Sequence, residues 1–339
     1  MRVAHHFPGV PPPDPRRDAV LQEAFLLREL FSGPDRFHGL GGFTRGRIPA
    51  TLQARWTRRR LAEVDADVDL HHLFADRLEW TRRFAGAGKP LVCTLTTGLG
   101  DEPLPAPTDL PRLAALVVSD DDQAARLAQR GFPYVTVVPS PAHLDGIQRL
   151  PAPPPPPLAL VAGSAPWTRR QFASKGVDLL LAAARRRPEL SLTFLWRGVL
   201  EDAMARRHRR TGLGDRVRVV RERVAVGALL AASHAAVVLA ARPRLVKAYP
   251  HSLLEALAAG RPILASACLP IAVWAERHGC GIGVPELSTA ALEGALDRLE
   301  SRYRELQRCA AELDLSAHAP ARYRAAMTAI YRRAAGAGA

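Results

Sequence analysis

Short apolar runs alternate with helix-patterned segments along nearly the whole chain, and that alternation constrains the fold more than any other feature. "RVAHHF" (Arg2–Phe7), "VDLHHLF" (Val68–Phe74), "PLVCTLTT" (Pro90–Thr97), "ALVVSD" (Ala115–Asp120) and "VTVVPS" (Val135–Ser140) read as buried strands. Between them, Asp14 and Pro15 mark a helix start running to about Leu30, and "DDQAARLAQRGF" (Asp121–Phe132) reads as a helix closed at Gly131. The pattern resumes later. "LALVAGS" (Leu158–Ser164), "LSLTFLWRG" (Leu190–Gly198), "RVRVV" (Arg216–Val220) and "AAVVLAA" (Ala235–Ala241) are strands, and "KGVDLLLAAARRR" (Lys175–Arg187) and "EDAMARRHRRTG" (Glu201–Gly212) are helices. The tail, about 317–334, reads as one long helix. Continuous apolar strands alternating with helices predict α/β architecture on parallel sheets.

A proline run, "PAPPPPP" (Pro151–Pro157), falls between the two series and reads as a stiff polyproline II spacer. It divides the 339 residues into an N-terminal domain, 1–150, and a C-terminal domain, 158–339. The expected architecture is two doubly wound, Rossmann-like parallel-sheet domains, with ligands at the carboxyl ends of their strands.

Charge separates the halves. Residues 1–157 carry net +1 and residues 158–339 net +13, out of +14 in total. Such a basic half suits a phosphate-bearing ligand, nucleic acid or an anionic surface, or merely an arginine-rich solvated face. No nucleic-acid reading module is recognisable, so nucleic acid is the disfavoured partner. The acid-free stretch from Arg36 to Ala62 carries Arg45, Arg47, Arg55, Arg58, Arg59 and Arg60 around Trp56. It has the character of a segment lying on an anionic membrane surface or of an exposed arginine-rich helix. No apolar run is long enough to span a bilayer. The four cysteines, Cys93, Cys268, Cys280 and Cys309, lack metal-ligand spacing and read as reduced, buried thiols, so no metal site is expected from them and the chain reads as cytoplasmic. Only three of the 47 basic residues are lysine, namely Lys89, Lys175 and Lys247. In a chain that uses arginine elsewhere, a lysine marks a place where a compact ammonium is wanted.

The most informative stretch is "KAYPHSLLEALAAGRPILAS", 247–266. Ser252 followed by Glu255 reads as a capping box, Gly260 and Pro262 as the helix stop, and "PILAS" as a buried strand. A buried helix N-terminus is also an anion site. With Lys175 after the preceding strand end, it outlines a diphosphate site.

The ordered motifs "LVAGS", "SKGVDLLLAA", "GDRVRVV", "AVVLAA" and "YPHSLLEALAAGRPILAS" resemble the C-terminal domain of retaining GT-B glycosyltransferases of family 4. The likeness is good from Leu158 to Val284 and weaker across "DVDLHHL", "KPLVCTLTTG", "LVVSD" and "VTVVPSPAHLD". The resemblance implies two domains facing a cleft, an N-terminal acceptor domain and a C-terminal nucleotide-sugar donor domain, with the terminal helix packing back on the first domain, and no cofactor or metal. It implies transfer of a sugar, hexosyltransferase-like, from a nucleotide-diphosphate donor to a glycan or lipid-linked acceptor in polysaccharide biosynthesis. By the same resemblance Lys175 holds the diphosphate and Glu255 the nucleotide ribose. Ser252, Leu253 and Leu254 offer backbone N–H groups to phosphate, and His72, or else His71, stands near the transferred sugar. Gly163, Ser164 and Arg169 (or Arg170) border the donor. Lys247 stands where the family carries the first glutamate of its Glu-x7-Glu motif. It either pairs with an acidic sugar or phosphate, or marks a catalytically inactive GT-B binding or scaffolding protein.

Overall fold

The structure, a computed structural model, describes residues 1–9, 11, 18–39, 50–149, 157–196, 199–222 and 224–336. Asp14, Pro15, Arg45, Arg47 and the prolines at 151–156 lie outside the described residues. The chain forms two compact units. The first comprises Met1–Pro141 with Ala317–Ala339, and the second Ala142–Ser316.

The first unit holds six parallel strands: β1 (Val3–Phe7), β2 (Asp35–Phe37), β3 (Leu70–Ala75), β4 (Leu91–Leu95), β5 (Ala115–Val118) and β6 (Val135–Val137), in the order β2-β1-β3-β4-β5-β6. Its helices are α1 (Ala19–Arg28), α2 (Ala50–Ala62), α3 (Asp121–Gln129) and the C-terminal α12 (Pro320–Gly336). Asp18 caps α1 by accepting from the Val20 and Leu21 N–H groups at 2.9 and 3.0 Å, and Asp120 caps α3 through Gln123 N–H at 2.8 Å. Tyr323, Met327, Ile330 and Tyr331 of α12 are buried in the same core as Leu21, Leu27 and Phe74. In α2 the Arg60 guanidinium covers the Trp56 ring at 4.5 Å, and Arg59 and Arg60 both pair with Glu63.

The second unit holds β7 (Ala159–Ala162), β8 (Ser191–Leu195), β9 (Val217–Val220), β10 (Ala235–Val238), β11 (Ile263–Ser266) and β12 (Gly281–Val284), all parallel, in the order β12-β11-β10-β7-β8-β9. One face is covered by α5 (Val177–Arg186), α6 (Glu201–Thr211) and α10 (Thr289–Ser301), the other by α7 (Val226–Ala231), α8 (His251–Ala258) and α9 (Pro270–Arg277). The short α4 (Gln171–Ser174) precedes α5, and α11 (Tyr303–Glu312) follows α10. The chain runs outward from β7 to β9, returns to β10 beside β7, and runs outward again. The topological switch point therefore lies between β7 and β10, where the loops leave the strand ends in opposite directions.

Two expectations on boundaries are corrected. The division falls at Pro141 rather than at 150, because Ala142 is buried in the core of the second unit, with Leu144 and Ile147 packed against it. Arg149 also donates to the Leu313 carbonyl at 2.8 Å. The second unit then ends at Ser316, since α12 contributes to the first unit's core. No described helix is long and apolar enough to cross a membrane. All four cysteines are free; Cys93 and Cys280 are buried, which pushes both thiols up to about 12, but Cys268 is exposed.

Candidate donor site at the switch point

The carboxyl end of β7 leads into Gly163 and Ser164. A Cβ on Gly163 would stand 2.4 Å from Ser252 Oγ and 3.1 Å from Ser252 Cβ, so only glycine lets the first turn of α8 come this close to the strand end. Ser164 takes a left-handed φ of 62°, unusual for a residue with a side chain. Its Oγ accepts from Lys175 Nζ at 3.3 Å, and the Ala165 carbonyl accepts from the same ammonium at 3.3 Å. Lys175 is only 6% exposed, so its charge is held inside the loop cluster rather than in bulk water. It precedes α5 instead of lying in it. Gly176 adopts φ 65° and starts the helix at Val177, its Cα pressed against Leu239 at the end of β10. The Ala241 N–H donates to the Ser174 carbonyl at 2.8 Å, completing the link between the two strand ends.

The capping-box expectation is overturned. Pro250, extended at φ −61° and ψ 131°, occupies the N-cap position, and no side chain caps α8. Ser252 is the second helical residue, with its hydroxyl packed toward Gly163. The Leu253 and Leu254 N–H groups both donate to the Pro250 carbonyl, at 3.0 and 3.2 Å. Among Ser252, Leu253 and Leu254, only the Ser252 N–H stands outside the helical ladder. The buried Leu253, Leu254 and Leu257 hold α8 in place, each contributing about 1.5–3 kcal/mol of burial. Glu255 is half-buried one turn after His251 on the same helix face. Lys247 is 9% exposed, and its Nζ lies 3.1 Å from His251 Nε2. No sequence motif singles out His251, which the loop before α8 brings against Lys247. Arg169 is not brought to this cluster; it lines a separate cavity between α5 and α6.

His72 has buried partners of its own. It sits mid-strand in β3, wholly buried, with Nδ1 2.6 Å from the Tyr331 hydroxyl and Nε2 2.7 Å from Thr94 Oγ1. Burial holds its pKa well below the usual imidazole value. Both ring nitrogens are committed, and the ring lies away from the strand ends. The neighbouring His71 belongs to a second chain on the opposite sheet face: Asp65 to His71 Nε2 at 2.8 Å, His71 Nδ1 to His6 Nε2 at 3.0 Å, and His6 Nδ1 to His38 Nε2 at 2.9 Å. Because the Asp65 carboxylate only accepts, one set of neutral tautomers fits. Each ring donates toward Asp65, and His38 Nδ1 is left as a buried acceptor without a partner among the described residues. Among the described residues no cluster of His, Cys, Asp or Glu has the arrangement of a metal site.

Residues 167–312, which include Lys175, Lys247, Ser252 and Glu255, match the family model described as glycosyl transferases group 1. The whole chain superposes on sucrose-phosphate synthase from Thermosynechococcus elongatus with a TM-score of 0.72 at 16% identity, covering 99% of this chain and 100% of that one. The fold is GT-B. It is similar also to Anabaena HepE, solved in complex with UDP (TM-score 0.64, 12% identity, 97% and 99% covered). A third neighbour is the lipopolysaccharide outer core galactosyltransferase WaaB in its apo form (TM-score 0.62, 14% identity, 98% and 100% covered). No curated protein sequence matches the chain.

Proposed function

We propose that this GT-B protein transfers a sugar from a nucleoside-diphosphate donor to a glycan or lipid-linked acceptor, with retention of configuration and without a metal. The observation that carries the reading is the meeting of a buried lysine ammonium and the N-terminal turn of α8 at the β7/β10 switch point, inside the segment that matches the group 1 model. The long 3.3 Å contacts of Lys175 Nζ are replaceable by diphosphate oxygens, which would form shorter, charge-assisted bonds. The Ser252 N–H and the helix dipole add to the same positive field. As the bond from sugar to diphosphate breaks, negative charge accumulates on the leaving group, and Lys175 with α8 stabilises it. The acceptor hydroxyl gives its proton to the leaving phosphate oxygen as its own oxygen bonds to the sugar carbon. Glu255 accepts hydrogen bonds from the nucleotide ribose, and Lys247, paired with His251, faces the donor sugar and favours one bearing a carboxylate. His72 takes no part.

The test is UDP release from UDP-glucose and UDP-glucuronate in the presence of EDTA, with Lys175→Ala as the comparison. Release of UDP that falls at least 100-fold in the variant supports the reading. A second reading, an inactive binding protein, is favoured by Lys247 standing in the place of an acidic residue. Saturable UDP binding with no consumption of any donor would select it.

A further inference from the structure

Outside the switch point, α5 and α6 lie side by side with a cavity of about 530 Å3 between them. Its α5 wall is Asp178, Leu181, Ala182 and Arg185, and its α6 wall includes Ala203, Arg206, Arg207 and Arg210. Both stripes repeat as i, i+3, i+4, i+7, the spacing by which two helices ordinarily seal against each other with apolar side chains. Here the floor is small and apolar while the rim is guanidinium. Arg169, from the loop between β7 and α4, completes the rim. Asp178 is the cavity's only acid, and Arg207 uses it, Nε donating to Oδ1 at 2.9 Å with the guanidinium stacked 3.7 Å over Phe172. Arg169, Arg185, Arg206 and Arg210 form no ion pair among the described residues. Arg206 and Arg210 stand one turn apart on one helix, an unfavourable arrangement for two like charges.

We infer that this groove binds a linear anionic glycan, one carrying a carboxylate or phosphodiester on successive units. Guanidinium forks take up either group bidentately. Arginines repeating turn by turn at about 5.4 Å offer charges on the scale of one sugar ring. The recess between two helices admits a chain and keeps a flat lipid surface away from its apolar floor. Trp167, 42% exposed, lies two residues before Arg169 in the same loop, which is held by its N–H donating to Gln171 Oε1 at 2.7 Å. Its indole supplies the stacking face that sugar rings use. The groove's anion binding does not rest on the transferase reading.

The test titrates the full chain at low salt with octagalacturonate, a phosphodiester-linked mannan, neutral maltooctaose and phosphatidylglycerol vesicles. The triple variant R185Q/R206Q/R210Q is compared with R304Q/R322Q/R332Q, which removes the same charge from exposed arginines elsewhere. Glutamine keeps the helices, and circular dichroism verifies folding. The expected result is binding of one or both anionic glycans, none of maltooctaose, a roughly 10- to 100-fold loss in the groove variant and less than 3-fold in the control. Equal losses in the two variants, no glycan binding, or binding of vesicles alone would overturn the proposal. UDP titration of the same variants keeps the donor-site reading separate, because its affinity is expected to be unchanged.

Discussion

Replacing Gly176 by alanine tests whether the lysine loop is pinned to the end of β10. At φ 65° an added Cβ costs about 1–2 kcal/mol for the left-handed backbone alone. That Cβ would also lie 2.6 Å from Leu239 Cβ and 2.7 Å from Leu239 Cδ1, an overlap in a closed core that costs about 1–3 kcal/mol more. Gly212, at φ 67° after α6, is the matched control, since its Cβ would meet nothing within 4 Å. Gly212→Ala should therefore lose about 1–2 kcal/mol of stability and Gly176→Ala about 2–5. With a urea slope of about 1–3 kcal/mol per molar, the two midpoints should separate by roughly 1 M. The Gly176 variant should also bind UDP about tenfold more weakly, because Lys175 is displaced with its neighbour, while Gly212→Ala leaves UDP affinity unchanged. Equal urea midpoints for the two variants would refute the packing argument. Equal UDP affinities would refute the link to Lys175.

Three further outcomes follow from the same structure. The buried imidazoles are held neutral, with the pKa of His38 lowered by burial and by nearby arginines from 6.5 to about 4; the unfolded chain takes up protons first, so stability falls as pH drops below 6.5, by about 2 kcal/mol at pH 5 from His38 alone. Thermal midpoints at pH 7 and 5 should show this loss, reduced in His38→Phe, and a midpoint insensitive to pH would contradict it. Arg187 joins α5 to Glu293, Asp297 and Glu300 of α10 while only 13% exposed, so Arg187→Met should cost about 2 kcal/mol in urea unfolding by leaving three carboxylates without their cation; a loss below about 0.5 kcal/mol would show the cluster to be solvent-screened. Lys247→Glu should shift donor preference from an acidic to a neutral sugar by at least tenfold with UDP affinity kept, whereas a parallel loss of UDP affinity would place its ammonium on the diphosphate instead.

The strands were legible because parallel sheets buried on both faces demand continuous apolar runs, and β1, β3, β4, β5, β7, β8 and β10 all show them. β2 was not, since "DRF" is a three-residue edge strand with two charges. The switch-point residues Gly163, Ser164, Lys175 and Ser252 were legible from motif order and do meet in space. The capping box failed for a local reason. Proline at 250 already supplies the extended N-cap geometry, which leaves Ser252 two positions past the N-cap and unable to cap the helix. The paired histidines illustrate what a motif hides. His5–His6 and His71–His72 sit in adjacent strands offset by one residue, His5 beside His72, and alternation sends one histidine of each pair to either sheet face. Their partners Asp65, His38, Thr94 and Tyr331 come from up to 259 residues away, and no local pattern announces them.

The central claim is that a nucleoside diphosphate binds where Lys175 and α8 meet. Calorimetric titration with UDP and GDP, in EDTA, of the wild-type chain beside Lys175→Ala and Glu255→Ala tests it most directly. The account predicts saturable binding of one nucleotide, weakened at least tenfold by either substitution, the first acting on the diphosphate and the second on the ribose. Binding that survives both substitutions, or no binding of either nucleotide, would contradict it.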